Sequence, residues 1–233
     1  MEVLSEIWRR ALLVQPVPER TPVLLLAAVA FVLVAWRTTW PATRHLVTIS
    51  HEGGHAFAAL VTGRRLMGIR LHSDTSGLTV SRGRPTGPGM VIMLVGGYLA
   101  PAVAGIAAAL LLINGHALGL LWLLVGWLAL MCVQIRNLYG LLVLLVCGVA
   151  LGLASWYLPA TWLSAIAYLI TWVLLIAAPR PLLELIRQRR RSPARHSDPD
   201  QLARLTRVPA AVWISIFLVL NLAGLVLGVR LLL

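Results

Sequence analysis

Residues 43–62 read TRHLVTISHEGGHAFAALVT, an apolar stretch long enough to cross a membrane, with the spelling H-E-x-x-H at its centre. Residues four apart lie on one face of a helix, so His51 and His55 can both direct an imidazole nitrogen at one metal ion. Glu52 lies about 100° around the helix axis, from where its carboxylate can reach a metal-bound water without being a ligand. Each ionisable residue in hydrocarbon costs at least about 2.5–3.5 kcal/mol, so three of them within five positions need compensation such as a metal ion. The stretch therefore predicts a catalytic zinc (Zn²⁺) site on a membrane helix.

The composition is typical of a polytopic membrane protein. The 233 residues are 59% hydrophobic and 12% charged, and their mean hydropathy is +0.86. The net charge is +12, and all 20 basic residues are Arg. Such a charge would suggest nucleic acid if it lay on a soluble face, but these Arg cluster in short segments between apolar stretches, as positive-inside signals do. We therefore expect the lipid bilayer as a partner and no nucleic acid.

Seven apolar stretches of about 20 residues predict seven transmembrane helices. If the N-terminus is cytoplasmic, every Arg except Arg37, Arg44 and Arg230 falls on the inner side. We therefore predict a cytoplasmic segment at 1–21 and a single polytopic membrane domain at 22–233, located in the cell membrane. The predicted helices span 22–40, 43–62, 89–113, 117–135, 138–157, 160–178 and 208–230.

Two segments between the predicted helices have patterns of their own. Apolar and polar residues alternate on both sides of a turn at 68–83, which favours a β-hairpin over an ordinary connecting loop. The segment 179–207 is predicted to be mainly a solvated cytoplasmic loop facing lipid head groups. Within it, Ser197-Asp198-Pro199 is typical of a helix start, with Ser197 or Asp198 as the cap.

The motifs of this chain, in the order in which they occur, resemble those of the site-2 protease-type intramembrane zinc metalloproteases, most closely a small bacterial branch. The resemblance rests on His51-Glu52-Gly53-Gly54-His55 on a membrane helix, the β element at 68–83, and a later span carrying Gly96-Gly97-Tyr98-Leu99-Ala100-Pro101. It implies an all-α polytopic fold with a small hairpin after the catalytic helix, in a bacterial membrane. It also implies cleavage of a peptide bond in or near a transmembrane segment of a membrane protein or peptide, with Glu52 as general base.

Two histidines do not complete such a site, because catalytic zinc usually has three protein ligands and one open position. The family's third-ligand pattern, Asp-Gly after Asn-Pro, is altered here to Asn137-Leu138-Tyr139-Gly140. We favour Asp198, whose alternative role is that of a helix cap. The other candidates are Asp200, Asn137, His72 and Asp74.

The hairpin suggests how a substrate is held. A helical peptide hides its backbone, so cleavage needs local unwinding, and an exposed strand can bind the freed groups by β-augmentation. We expect the backbone of Leu71 and Val80 to take part in this binding.

Two other functions use the same motif. In a metal or solute transporter, His51 and His55 would form a transit site, and in a silent membrane scaffold the zinc motif would remain without hydrolysis. Transporters usually spread polar sites over several spans and have repeated halves, whereas this chain has one site and no repeat. The sequence therefore favours the protease.

Overall fold

The described part of the chain is mostly helical, with a helical fraction of 76%. The computed structural model describes residues 2–191 and 196–233. In chain order the elements are α1 (Glu2–Ala11), α2 (Arg20–Ala35), α3 (Trp40–Val61), β1 (Arg65–Leu71), β2 (Gly77–Arg82), α4 (Pro88–Ile113), α5 (Ala117–Gln134), α6 (Leu138–Tyr157), α7 (Ala160–Ala177), α8 (Arg180–Arg191), α9 (Asp198–Thr206) and α10 (Ala210–Leu232).

Five helices of the described chain are individually long and apolar enough to cross a membrane: α4, α5, α6, α7 with α8, and α10. The pair of α2 and α3 meets the same criterion only together, and it is bent by 98° at the break between its helices. The structure thus has five or six candidate spans, and the predicted count of seven is not confirmed. The reason lies in α3, where Arg44, the three histidines and Glu52 lower the hydropathy of the predicted 43–62 span.

Helix α3, which carries the H-E-x-x-H motif, packs most extensively against α4. Small residues permit this close contact: a Cβ atom added at Gly54 would lie 2.5 Å from the carbonyl oxygen of Gly96, and one added at Gly96 would lie 2.9 Å from the side chain of Ala58. This is the packing expected where small residues let two membrane helices approach. The contact fixes the H-E-x-x-H motif against the first half of α4.

The predicted hairpin is confirmed, with strands slightly longer than expected. Strands β1 and β2 form an antiparallel pair in which Ile69 faces Thr79 and Leu71 faces Gly77. The outer edge of β1 is covered, because the N–H of Arg136 donates to the carbonyl oxygen of Ile69 (2.8 Å). The Asn137 amide also pairs with the backbone of Leu71, donating to its carbonyl oxygen (2.7 Å) and accepting from its N–H (3.2 Å).

The segment 179–207 is more ordered than the predicted solvated loop. Its first part forms α8, and its last part forms α9, which lies close to the helix predicted at 200–207 and has Ser197, one of the two predicted caps, as its N-cap. Residues 192–195 lie outside the described residues. The loop prediction failed for α8 because an apolar face that includes the fully buried Leu182 pairs this helix with the bundle. The buried side chain of Leu202 likewise packs α9 against the bundle.

The N-terminal helix α1 lies where α4 ends, α5 begins and α6 ends. The Arg10 guanidinium donates to the carbonyl oxygen of Trp156 at the end of α6 (2.9 Å). After α1, the N–H of Gln15 donates to the carbonyl oxygen of Gly115, between α4 and α5 (2.8 Å). These contacts tie the N-terminal segment to one end of the bundle.

Helices α8 and α9 lie at the other end of the bundle. Leu182 and Leu202 share an apolar cluster with Leu94, near the start of α4, and with Ile214, near the start of α10. The 26 residues of α4 extend over about 39 Å, so its two ends mark opposite ends of the bundle. The sequence-based topology had placed residues 1–21 and the 179–207 segment together in the cytoplasm. The two segments can lie on opposite sides of the membrane if the bent pair of α2 and α3 crosses it once.

This arrangement predicts opposite labelling of two surface positions. In a variant without Cys132 and Cys147, we expect Ser5→Cys and Arg187→Cys to react with a membrane-impermeant maleimide from opposite sides of the membrane. The measurement compares right-side-out with inverted membrane vesicles. Labelling of both positions from one side would restore the seven-span topology.

Candidate metal centre

Three potential ligand atoms converge beside α3. The Nε2 atoms of His51 and His55 lie 3.1 Å apart, and each lies 3.2 Å from the same carboxylate oxygen, Oδ2 of Asp198. Within the described part of the chain, these three residues form the cluster of His, Cys, Asp and Glu side chains able to hold a metal ion. Helical periodicity brings the histidines together, whereas Asp198 comes from α9.

The donor set fits zinc. Atoms bonded to zinc at about 2.0–2.1 Å with tetrahedral angles lie about 3.3–3.4 Å apart, close to the separations of 3.1 and 3.2 Å found here. Two imidazoles and one carboxylate are a common protein ligand set of catalytic zinc, which leaves a fourth position for water. The side chains of His51 and Asp198 are 21% and 16% exposed, so the cluster is not completely closed by protein.

Contacts with α4 orient both imidazoles. The Nδ1 atom of His55 lies 2.7 Å from the carbonyl oxygen of Met93, which requires a proton on Nδ1 and leaves the lone pair on Nε2 for a metal. The ring of His51 meets the edge of the Tyr98 ring, with centroids 4.8 Å apart. A Cβ atom at Gly97 would overlap both imidazoles. A glycine is therefore needed at this position for α4 to approach the site.

Asp198 is free to act as a ligand because other residues cap α9. Ser197 is the N-cap, and its N–H and hydroxyl donate to Oδ2 of Asp200 at 3.2 and 2.6 Å. The second Asp200 oxygen accepts a hydrogen bond from Arg189. Burial raises the pKa of Asp200, but the hydrogen bonds from Ser197 and Arg189 outweigh it and hold the pKa below its ordinary value. The structure thus brings Asp198 to the histidines and engages Asp200 elsewhere.

Glu52 is buried next to the hairpin. The Thr79 hydroxyl lies 2.6 Å from Oε2 of Glu52 and 3.1 Å from the Glu52 carbonyl oxygen. A Cβ atom at Gly77 would lie 2.5 Å from Oε1 of Glu52, so only a glycine allows β2 to pack this closely. The hairpin thereby fixes one carboxylate oxygen and leaves Oε1 without a bond to Thr79.

The hydrogen-bond pattern of the hairpin identifies its free edge. The N–H of His72 donates to the carbonyl oxygen of Ser76 (2.9 Å), so this pair faces inward. Inward and outward pairs alternate in an antiparallel ladder, which turns the backbone groups of Gly77 and Thr79 outward and those of Val80 toward β1. The sequence had suggested Leu71 and Val80 as substrate-binding donors. The N–H of Leu71 is bonded to Asn137, and Val80 stands opposite Gly68, with its backbone groups toward β1.

The remaining candidate ligands lie elsewhere. Asn137 is used to hold Leu71, and Asp74 accepts hydrogen bonds from the N–H and hydroxyl of Ser76 at the hairpin tip. His72 lies at this tip as well, with Nδ1 3.3 Å from the Ser76 hydroxyl.

Sequence reasoning missed the residues that support the site. The motif around Gly97 pointed to α4, but no local pattern marked Met93 as the partner of His55 or Thr79 as the partner of Glu52. Alternation within the hairpin placed Thr79 on the face opposite to Val80, and this was the one available signal for Thr79.

The described fold and site fit a membrane protein with several candidate spans and a His-His-Asp cluster able to hold a metal ion beside a buried carboxylate. A comparison with protein-family models matches residues 24–228 to the family described as Peptidase M50B-like. The chain belongs to this family, the site-2 protease family, as its resemblance had implied. Comparisons with curated proteins and with solved structures found no match.

The geometry predicts about one zinc ion per chain in the purified protein. His51→Ala, His55→Ala and Asp198→Ala should each remove most of the bound zinc, because three protein ligands are needed to hold it. Elemental analysis of the variants after dialysis measures this directly. His45→Ala, on the same helix, is the matched control and should retain the metal. Full zinc occupancy in Asp198→Ala would contradict the proposed ligand set.

Proposed function

We propose that this protein is an intramembrane zinc metalloprotease that hydrolyses a peptide bond in or near a transmembrane segment of a membrane protein. The convergence of His51, His55 and Asp198 on one point, on and beside a helix that also carries Glu52, is the observation that carries the proposal. Membership of a peptidase family and the five or six apolar spans support it. Membership of this peptidase family does not favour a transporter or a silent scaffold.

The catalytic roles follow from the contacts of each residue. His51, His55 and Asp198 would hold the zinc ion, which when bound supplies a Lewis acid to polarise the scissile carbonyl and acidify water. Glu52 accepts the proton of the attacking water at Oε1 and transfers it to the leaving amine. Thr79 keeps the other oxygen, Oε2, engaged and so fixes the direction of the carboxylate. Burial of Glu52, which is 4% exposed, limits competing water.

The outward edge of β2 is the proposed binding site for an unwound substrate. The backbone N–H and C=O groups of Thr79 point away from β1, while its hydroxyl contacts Glu52. A substrate strand added at this edge would run beside the general base. β-Augmentation supplies the backbone partners that an unwound segment needs in a membrane.

The active site is proposed to open toward the cytoplasm. Asp198 and the hairpin both lie at the end of the bundle that carries the Arg clusters between residues 64 and 84 and in α8. The positive-inside rule assigns this end to the cytoplasm and the N-terminal segment to the opposite side. Cleavage would then occur near the cytoplasmic end of the substrate's transmembrane segment.

Loss of the general base should separate metal binding from catalysis. Glu52→Gln should keep its zinc and lower hydrolysis by at least about 10²-fold, because a positioned acid-base group contributes about 10²–10⁴. New peptide termini in the membrane proteome should appear in cells with the intact chain and be absent in cells with Glu52→Gln. Identical termini in both would contradict a proteolytic function.

Strand addition predicts a specific backbone effect. Replacing Thr79 by its α-hydroxy acid converts the outward N–H to an ester oxygen and keeps the hydroxyl that holds Glu52. We expect KM for a substrate identified from the proteome to rise, with zinc content unchanged. Threonine incorporated by the same route is the control. An unchanged KM would exclude the Thr79 edge as the substrate site.

A further inference from the structure

We propose that Arg189 is a positioning residue of the metal centre. By binding Asp200 it fixes the first turn of α9, and this turn directs Asp198 at His51 and His55. The inference rests on the proposed function in one respect, namely that these three residues hold zinc. Arg189 thereby gives the Arg-rich helix α8 a role in the site. Neither the metal motif nor the membrane topology accounts for such a role.

The first turn of α9 is fixed by a ring of hydrogen bonds. Asp200 accepts from both the N–H and the hydroxyl of Ser197 through Oδ2, which closes a capping box around the turn. Asp198 lies between these two residues and takes no part in the cap. Its direction is therefore set by the backbone that Ser197 and Asp200 hold.

Arg189 connects this turn to α8. Its Nη1 atom donates to Oδ1 of Asp200, the oxygen that the capping box does not use. The side chains of Arg189 and Asp200 are only 22% and 7% exposed. A charge-assisted hydrogen bond in such surroundings is stronger than an exposed ion pair. Leu202 anchors the same helix from its apolar side, so α9 is held at two points.

Helix α8 is itself tied to the helix that carries the histidines. The Arg180 guanidinium lies over the ring of Trp40 at 4.0 Å from its centroid. Near it, Glu184 lies 3.7 Å from Arg44 and 3.5 Å from Arg180. Helix α8 therefore connects α3 and α9: its first half contacts α3, and Arg189 in its second half binds Asp200 of α9. This connection sets the position of Asp198 relative to His51 and His55.

Asp198 is the site residue whose position depends on this connection through α8. His51 and His55 keep their spacing because they share one helix, but Asp198 belongs to a separate short helix. Partners that orient metal ligands typically change metal affinity by about 10–100-fold when they are lost. Asp200, a candidate ligand from the sequence, acts here through Asp198.

The test measures the zinc affinity of the purified full-length protein by competition with a chelator. Arg189→Met should weaken zinc binding by about 10–100-fold. Arg189→Lys, which retains the charge, should recover part of the loss. Arg187→Met removes a charge from an exposed position of α8 and should change the affinity by no more than about twofold. Asp200→Asn, which keeps an acceptor for Ser197, should weaken binding as well and serves if Arg189→Met does not fold.

A double-mutant cycle separates positioning from general stability. In an Asp198→Ala background, Arg189→Met should cause no further loss of zinc affinity, because its effect passes through the missing ligand. An equal loss in both backgrounds would overturn the proposal. Wild-type affinity in Arg189→Met and Asp200→Asn, with Asp198→Ala weakened, would overturn it and leave the proposed function intact. Wild-type affinity in Asp198→Ala would instead refute the ligand set itself.

Discussion

The approach of the Asp198 carboxylate to two imidazoles is the interaction on which the arrangement around α3 depends. A carboxylate so largely buried is costly unless a cation or hydrogen-bond donors compensate it. A metal ion shared with His51 and His55 would supply that compensation, and the separations among the three atoms suit zinc. The apolar contacts of Leu202 and the ionic contact of Asp200 then bring α9 to the position where this carboxylate can reach the histidines.

The same site requires three backbones to come unusually close. α4 approaches the imidazoles at Gly97, and β2 approaches Glu52 at Gly77, where even a methyl group would overlap the functional side chains. Each close approach also places a hydrogen-bond partner beside a site residue. The carbonyl oxygen of Met93 orients His55, and the hydroxyl of Thr79 orients Glu52. The hairpin and α4 therefore orient His55 and Glu52, although neither element contributes a residue to the His-His-Asp cluster.

The features predictable from sequence are those set by local periodicity. His51, Glu52 and His55 follow from the repeat of one helix, and the hairpin follows from alternation. The count of seven spans is not confirmed, because α2 and α3 are long and apolar enough to cross a membrane only as a pair, and this pair is bent by 98°. The contacts of Thr79 with Glu52 and of Arg189 with Asp200 depend on packing between elements that are distant in the sequence. No local sequence pattern predicts them. Asp198 was favoured among several candidate ligands, but its proximity to the histidines is visible only in the fold.

Anomalous diffraction from crystals of the zinc-loaded protein, recorded on both sides of the zinc absorption edge, would locate the metal ion and its ligands. We expect a single strong zinc peak within bonding distance of Nε2 of His51, Nε2 of His55 and a carboxylate oxygen of Asp198, with Glu52 nearby but not bonded. A peak ligated by other residues, or a zinc ion on the histidines with Asp198 remote from it, would show that these three residues do not form the zinc site.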